Sequence, residues 1–236
     1  MAVAAADSRG ISVIVPAINE ADGIADTLQA LQDMRRRGLE VIVADGGSTD
    51  NTVALCLPLA DRVIIAATGR ARQMQAGAAL ACGSVLWFLH ADSRAPGDAD
   101  RTIATALGSG RRNWGRFDVR FKHAGLLLGV VATLMNLRSR LTGIATGDQG
   151  IFVTRKLFER VNGFPQIPLM EDIALSRLLK RHSRPACLHE QLITSARRWQ
   201  AQGTLCTILV MWSLRLAYFL GVSPAWLAQF YRPHRA

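Results

Sequence analysis

The 236-residue chain is poor in charged residues, in cysteine and in lysine. Charged residues make up 19% of the chain and hydrophobic residues 50%, which excludes a disordered protein and predicts a large buried core. The four cysteines form no C-x-x-C pair, which excludes a disulfide scaffold. We expect all four to be small buried hydrophobic residues in a reducing compartment. They are Cys56, Cys82, Cys187 and Cys206.

The sequence also lacks an apolar run that is long enough to cross a bilayer. Residues 124–137 are shorter than the ~20 residues that a spanning helix needs. Residues 204–220 are interrupted by Arg215, whose charge is costly at mid-bilayer. Residues 1–9 lack a basic segment followed by an apolar run, so we expect a flexible amino terminus without a signal peptide. These features predict a cytoplasmic protein.

The net charge is +10, and all basic residues except Lys122, Lys156 and Lys180 are arginines. Such a charge favours an anionic partner, either a phosphate-bearing ligand or an anionic membrane surface. Arginine suits a phosphate because its guanidinium donates two parallel hydrogen bonds. We expect no nucleic-acid partner, because the basic residues are dispersed and no aromatic-rich recognition motif accompanies them.

Strand-like and helix-like segments alternate along the first part of the chain. Helical spacing of apolar residues predicts helices over residues 21–37 and 70–82, and a third through Val53 and Leu57 that Ser48 or Thr49 caps. This alternation is typical of a mostly parallel α/β sheet with helices on both faces. The four predicted strands are residues 11–15, 39–44, 62–66 and 85–89.

Three polar turns follow predicted strands, and in such sheets ligands bind beyond the carboxyl ends of the strands. The turns are residues 16–20 (PAINE), 45–50 (DGGSTD) and 90–92 (HAD). Glycines let backbone N–H groups approach a ligand, and carboxylates are the oxygen ligands that Mg²⁺ or Mn²⁺ prefers when it bridges a diphosphate. Together the turns suit a ribose-and-base pocket with a divalent ion.

In these motifs the sequence resembles the family 2 glycosyltransferases of GT-A fold. The resemblance extends over about residues 10–200 and includes P-x-x-N-E, D-G-G-S-x-D-x-T, the glycines Gly77 and Gly83, the segment 147–152 (GDQGIF) and the pair at 171–172. Within the family, the chain looks most like the short bacterial enzymes associated with arsenosugar biosynthesis. The resemblance implies a Rossmann-like nucleotide-sugar domain and a non-processive, inverting transfer from a nucleotide-diphosphate sugar, with uracil as the expected base.

The resemblance also implies roles for single residues. Asp172 corresponds to the general base that deprotonates the acceptor hydroxyl, with Glu171 beside it, and Asp92 corresponds to the aspartate that binds Mg²⁺ or Mn²⁺. Asp45 corresponds to the residue that holds the base. The residues expected at the nucleotide sugar are Pro16, Asn19, Glu20, Asp45, Gly47, Arg72, Ala91 and Asp92. Those expected at the acceptor or diphosphate are Asp148, Gln149, Arg198 and Trp199.

The sequence departs from the family pattern at two motifs. His90 stands where the first aspartate of a D-x-D pair would be, so it bonds a neighbouring backbone, contacts the ribose or serves as an outer partner of the ion. Residues 195–199 lack the glutamine of the Q-x-x-R-W signature, which argues against processive synthesis. Trp199 either lines the acceptor site or packs on the edge of the core.

We divide the chain into a nucleotide-sugar half (10–92), an acceptor half (93–200) and an apolar, amphipathic helical segment (201–236). Within the acceptor half, residues 109–146 hold an apolar helix among basic residues, as either a pocket for an anionic acceptor or a solvated basic face. The last segment suits an interfacial helix pair on anionic lipid, a homodimer interface or a cap over the core.

Two other function classes compete with this interpretation. A nucleotidyltransferase also binds nucleotide phosphates and a divalent ion on an α/β sheet, but it usually has a glycine-rich basic loop after the first strand. A non-catalytic membrane-surface or interaction protein of the same fold is the second alternative, if the site has degenerated at His90. A P-loop ATPase and a Rossmann dehydrogenase are disfavoured, because neither glycine motif is present.

Overall fold

The computed structural model of the chain describes residues 10–122, 125–196 and 203–231. Its strands are β1 (Ile11–Ala17), β2 (Glu40–Asp45), β3 (Arg62–Ile65), β4 (Val85–Phe88), β5 (Ser93–Arg94), β6 (Trp114–Phe121), β7 (Phe152–Thr154) and β8 (Ala186–Thr194). Its helices are α1 (Ile24–Gln29), α2 (Gln32–Arg36), α3 (Thr52–Cys56), α4 (Arg70–Leu80), α5 (Ala99–Gly108), α6 (Leu126–Thr142), α7 (Arg155–Arg160), α8 (Glu171–Lys180), α9 (Thr204–Phe219) and α10 (Pro224–Phe230).

The strands form one eight-stranded sheet in the order β3-β2-β1-β4-β7-β6-β8-β5. The four strands that the sequence predicts, β1 to β4, are mutually parallel. Strand β7 runs antiparallel to both β4 and β6, while β8 is parallel to β6. The predicted α/β class with a mostly parallel sheet is confirmed.

The sheet is covered on both faces because successive strand residues point to opposite sides. Val13 and Val15 of β1 belong to one apolar cluster, with residues of α1 and α5. Ile14 lies between them in sequence and belongs to the other cluster, with residues of α4 and α8. Two cores therefore fix the sheet between helical layers and hold the carboxyl ends of β1, β2 and β4 at one edge.

The helix predicted over residues 21–37 is two helices, α1 and α2. In a continuous helix, the backbone N–H of Gln32 would donate to the carbonyl of Leu28. Instead that carbonyl accepts the backbone N–H of Leu31 at 3.1 Å and the side-chain amide of Gln32 at 2.9 Å, and the same amide donates to the carbonyl of Leu59 at 2.9 Å. A tighter turn and a side chain thus replace the regular helix bond, and the helix ends at Gln29.

The prediction that residues 109–146 hold an apolar helix is confirmed by α6, but the same segment also supplies strand β6. Strand β1 continues two residues past its predicted end, so Pro16 lies within the strand, in register with Ala44 of β2. On its other side, β1 pairs with β4 only as far as Ile14. Pro16 lies beyond this pairing, so its missing backbone N–H removes no hydrogen bond between the two strands.

The prediction for the cysteines is wrong for three of the four. Cys56 is buried, Cys187 is partly buried, and Cys82 and Cys206 are exposed. Burial, with the charges of Asp45 and Asp50, raises the pKa of the Cys56 thiol to about 11. All four are free thiols, and only Cys56 is a core residue, because it alone is buried.

Candidate functional site

The turn after β2 is held together by its own first residue. The Asp45 carboxylate is buried and accepts hydrogen bonds from the backbone N–H groups of Gly47 and Ser48, both at 2.8 Å. The Ser48 hydroxyl donates to the same carboxylate. Gly47 has a φ of +93°, a conformation that glycine adopts without strain. Asp45 thus shapes the glycine turn, and its expected contact with a base stays a prediction.

The turn after β1 is joined to the turn after β2 by a set of cross-turn hydrogen bonds. The backbone N–H of Asn19 donates to the Ser48 hydroxyl at 2.9 Å, and the Asn19 side-chain oxygen accepts from the Thr49 N–H at 2.9 Å. The Glu20 N–H donates to the Thr52 hydroxyl at 2.8 Å. The expected capping of α3 by Ser48 or Thr49 is wrong, because Asn51 occupies the cap position and Ser48 bonds the other turn.

Helix α4 fastens these two turns to the sheet. The buried side-chain amide of Gln73 donates to the carbonyls of Ala17 and Ala44, both at 2.8 Å. A Cβ at Gly46 would lie 3.0 Å from the Gln73 side chain, so the glycine makes room for this bridge. The neighbouring turn is held similarly, because the Thr27 hydroxyl donates to the carbonyl of Ala91 at 2.7 Å.

His90, after β4, contacts the segment that precedes β7. Its Nδ1 lies 3.2 Å from the Asp148 carboxylate. Its ring also lies directly over Gly147, where a Cβ would come within 2.3 Å of Nε2. The imidazole therefore bonds a side chain rather than the backbone, and it fixes the position of the short 3-10 turn Gly147–Gln149.

The first turn of α8 brings the two predicted carboxylates into the same pocket as His90. The Asp172 carboxylate accepts hydrogen bonds from the backbone N–H groups of Gly147 and Ile173, both at 2.7 Å. Glu171 is buried, and burial followed by the charge of Asp172 raises the pKa of its carboxyl. The pocket is lined by Met74, Phe88, His90, Gly147, Ile151, Phe164, Glu171 and Asp172.

Asp148 and Gln149 have different surroundings. Asp148 is partly exposed. Loss of solvation next to the protein raises the pKa of its carboxyl, but the hydrogen bond and charge of His90, together with the charges of Arg70 and Arg215, outweigh this effect and lower the pKa to about 2. Gln149 is buried, and its side-chain oxygen accepts from the Thr146 N–H at 3.2 Å. Asp148 is thus at the site, whereas Gln149 holds the 3-10 turn.

Asp92 is half-buried, and no hydrogen bond to its carboxylate occurs within the described ranges. The charged residue that interacts with it is Arg70, the first residue of α4. Packing around the Arg70 guanidinium lowers its pKa, but Tyr231 and the carboxylates of Glu171, Asp148 and Asp92 outweigh this effect and raise the pKa. The described part of the chain contains no group of three or more metal-binding side chains. An ion at Asp92 would therefore need oxygen ligands from a diphosphate or water.

Sequence reasoning did not identify every residue that the structure brings to the site. Arg72 is exposed on α4, and its expected place at the nucleotide sugar stays a prediction. Arg70, which is also exposed, is the arginine of α4 whose charge acts on the carboxylates. Arg215 was considered only as a charge within an apolar run, yet it acts on Asp148. Arg198 and Trp199 lie outside the described residues.

Residues 12–152 match the profile of the family described as Glycosyl transferase family 2, which is more than half of the chain. The chain is 40% identical over 92 residues to the uncharacterized glycosyltransferase Rv1514c of Mycobacterium tuberculosis H37Rv, covering 37% of this chain and 35% of that protein. The protein MT1564 of strain CDC 1551 matches equally well. The match thus spans about a third of the length of these curated relatives.

Solved structures of similar fold share little sequence with the chain. Staphylococcus aureus TarS 1-349 in complex with UDP superposes with a TM-score of 0.64 at 18% identity, covering 78% of this chain and 60% of that one. A Pyrobaculum calidifontis mannosyltransferase in complex with GDP-Man and Mn²⁺ has a TM-score of 0.61 at 21% identity, covering 95% and 65%. Mycobacterium tuberculosis glucosyl-3-phosphoglycerate synthase with Mn²⁺ and UDP has a TM-score of 0.57 at 19% identity, covering 81% and 74%. The predicted GT-A fold is confirmed.

Proposed function

The chain belongs to glycosyl transferase family 2, and we propose that it is an inverting, non-processive glycosyltransferase with a nucleoside-diphosphate sugar donor, UDP by preference. The observation that carries this proposal is the convergence of His90, Glu171 and Asp172 on one pocket at the carboxyl ends of the parallel strands. We place the chain in the short subgroup associated with arsenosugar biosynthesis, on the motifs that it shares with that subgroup.

Asp172 is the general base of the proposed reaction. Each of its carboxylate oxygens accepts one backbone N–H bond, which fixes the group and leaves further lone pairs for an acceptor hydroxyl. The acceptor oxygen forms a bond to the anomeric carbon while the bond from that carbon to the diphosphate oxygen breaks. The diphosphate leaves with the electron pair and Asp172 takes the hydroxyl proton, so the configuration at carbon inverts.

Asp92 is the residue that holds the divalent ion. Its carboxylate is half-buried and without a hydrogen bond in the described structure, so it can ligate without breaking an existing bond. Mg²⁺ is commonly held by one or two carboxylates together with substrate phosphates, which matches this single aspartate. When bound, the ion neutralises charge on the departing diphosphate. His90 is already bonded to Asp148, which supports an outer role for it.

The donor site is proposed at the two joined turns after β1 and β2. Hydrogen bonds join Asn19 and Glu20 to residues that follow Asp45 before a ligand arrives, and such preorganisation lowers the entropic cost of binding. We propose Pro16, Asn19, Glu20, Asp45 and Gly47 as donor-site residues. We keep residues 10–92 as the nucleotide-sugar half and residues 93–200 as the acceptor half.

The carboxyl-terminal helices are proposed to contact an anionic membrane surface. Among the side chains that the structure describes, helices α9 and α10 carry six large apolar ones that are more than half exposed, and the chain has a net charge of +10. Apolar side chains with excess positive charge are the combination that binds anionic bilayers. No described helix has the length and apolarity to span one. The exposed side chains are Leu209, Trp212, Leu216, Phe219, Trp226 and Phe230.

Vesicle co-sedimentation tests the membrane contact. We expect binding to phosphatidylserine vesicles and weaker binding to phosphatidylcholine alone, with a loss of binding in Trp212→Glu. Leu57→Glu is the matched control, because Leu57 is equally exposed but lies after α3. A stable homodimer that Trp212→Glu disrupts, without vesicle binding, would contradict the proposal.

A thermal-shift panel with UDP, GDP, CDP and TDP, each with and without Mn²⁺, tests the donor proposal. Ligand at ~100 times its Kd stabilises a protein by about 2.7 kcal/mol, which is several degrees in Tm. We expect the largest shift with UDP, increased by the metal. No shift with any of the four would contradict the proposal and favour a non-catalytic interaction protein.

A further inference from the structure

Two arginines beside the pocket carry buried N–H groups that nothing in the described structure accepts. Arg138 lies on α6, and both its Nε and its Nη2 are shielded from solvent without a hydrogen-bond partner. Arg215 lies on α9, and its Nε is in the same condition. Neither side chain forms an ion pair within the described residues. A buried cation without an acceptor is costly, so such a pair is a site for an anion.

The neighbouring arginines show what a compensated group looks like in this region. Arg116 of β6 is fully buried and its Nε also lacks a partner, but one terminal nitrogen pairs with Asp118 and the other donates to the carbonyl of Asn136 at 3.1 Å. Arg140 of α6 donates to the other oxygen of Asp118 at 2.6 Å. Asp118 thus forms ion pairs with both arginines. Arg138 forms no ion pair with Asp118, although it lies only two residues before Arg140.

The charges of both unpartnered arginines act on carboxylates at the pocket. Burial, with the charges of Arg215 and Arg116, lowers the pKa of Arg138 to about 10, while the charge of Asp172 acts in the opposite direction. Arg215 in turn contributes to the lowered pKa of Asp148. The two positive charges therefore act on each other, and each acts on a carboxylate of the pocket, Arg138 on Asp172 and Arg215 on Asp148.

We propose that Arg138 and Arg215 bind a phosphate or carboxylate group on the acceptor whose hydroxyl Asp172 deprotonates. The proposal rests on the proposed function, and it names the acceptor as an anionic hydroxyl compound. Guanidinium groups match both kinds of anion, because they donate parallel hydrogen bonds to two oxygens. An anion held there places a hydroxyl of the same molecule within reach of Asp172.

The diphosphate of the donor is the other anion that would be attracted to Arg138 and Arg215. The charged neighbours of Asp92 and of Arg138 distinguish the donor diphosphate from an anion on the acceptor. Arg70 is the cation that acts on Asp92, the proposed ion site, and it also acts on Asp148 and Glu171. The carboxylate that acts on Arg138 is Asp172. The diphosphate is expected with the ion at Asp92, and the second anion is expected on the side of the base.

Calorimetric titration of inorganic phosphate into protein saturated with UDP and Mg²⁺ tests this assignment. We expect binding that does not displace UDP, and a loss of phosphate affinity of about 10- to 100-fold in Arg138→Gln and in Arg215→Gln. Arg120→Gln, at an exposed arginine of β6, is the matched control and should bind phosphate as the unchanged protein does. With glycerol 3-phosphate we expect the same pattern, and with glycerol no binding.

Competition between phosphate and UDP would overturn the proposal, because the arginines would then hold the donor diphosphate. Unchanged phosphate affinity in both arginine variants would overturn it as well. The competition experiment needs no variant, so it decides even if a glutamine variant fails to fold. If UDP does not bind at all, the proposed function fails, while phosphate binding that Arg138→Gln and Arg215→Gln abolish would still establish the anion site.

Discussion

The polar groups of two regions differ in their hydrogen-bond partners. The carboxylates in the turns after β1 and β2 are bonded by the turns, whereas several charged groups around the pocket before α8 lack such bonds. In the turns, the carboxylates of Asp45 and Asp50 accept hydrogen bonds from the turns themselves. Around the pocket, Glu171 is buried with a raised pKa, Asp92 has no hydrogen bond in the described residues, and Arg138 has buried N–H groups without an acceptor.

This difference separates a scaffold from a place where a ligand is expected. A satisfied polar network is rigid and gains little from a further partner. Charged groups that are crowded or unpartnered raise the free energy of the empty protein, and a ligand of opposite charge lowers it again. The contrast therefore predicts that changes in the pocket alter activity with little loss of stability, whereas changes that break the hydrogen bonds of the turns lower stability.

The largest expected effect is on turnover in Asp172→Asn. The amide oxygen still accepts the N–H of Gly147, but it cannot take the acceptor proton, so we expect kcat to fall by about 10²- to 10⁴-fold. UDP binding, measured by calorimetry, should stay unchanged. Asp98→Asn, at an exposed position before α5, is the control and should keep full activity. Loss of UDP binding in Asp172→Asn would assign the residue to the donor site.

A smaller effect is expected in Asp92→Asn, because an amide is a weaker ligand than a carboxylate. Loss of even an outer partner of a metal ligand costs about 10- to 100-fold in affinity or activity, and we expect at least this effect. The additional thermal shift that Mn²⁺ gives with UDP should disappear in the variant. An unchanged metal dependence would place the ion elsewhere.

Stability should respond when the joined turns are broken. Thr52 is fully buried, donates to Asp50 at 2.5 Å and accepts the N–H of Glu20 at 2.8 Å. Thr52→Val keeps the shape, removes the acceptor of the Glu20 N–H and removes one of the hydrogen bonds to Asp50, so we expect a loss of about 1–3 kcal/mol in the free energy of unfolding. Thr102→Val, which removes one exposed hydrogen bond from α5, should cost much less by thermal or chemical denaturation. Equal losses would contradict the contrast between a built network and an ordinary helix bond.

The smallest effect is a pH-dependent gain of stability in Glu171→Gln. The raised pKa means that the fold favours the protonated carboxyl; this contribution is fully present below the ordinary value of 4.5 and is lost as the pH rises through the folded-state pKa. Glutamine mimics the protonated form at every pH. We therefore expect a higher Tm than the unchanged protein at pH 8 and equal Tm values at pH 4. A variant that is less stable at pH 8 would show that the charge of Glu171 is compensated.

The sequence predicts the parallel half of the fold well because its signals are local. Strands β1 to β4 are continuous apolar runs, and each motif turn lies within six residues of a strand end. The break between α1 and α2 could not be predicted, since it depends on the Gln32 amide bonding the Leu28 carbonyl. Arg138 and Arg215 could not be paired either, because they lie 77 residues apart and only the folded chain lets their charges act on each other.

The proposed transfer reaction depends most directly on a metal-assisted donor site at Asp92. Anomalous diffraction from crystals grown with UDP and Mn²⁺ would locate the ion without a variant or an acceptor. We predict a manganese peak in contact with an Asp92 oxygen and with the diphosphate, on the pocket side of the turn after β4. A peak that contacts the diphosphate but lies away from Asp92, or UDP bound outside the turns after β1 and β2, would contradict the account.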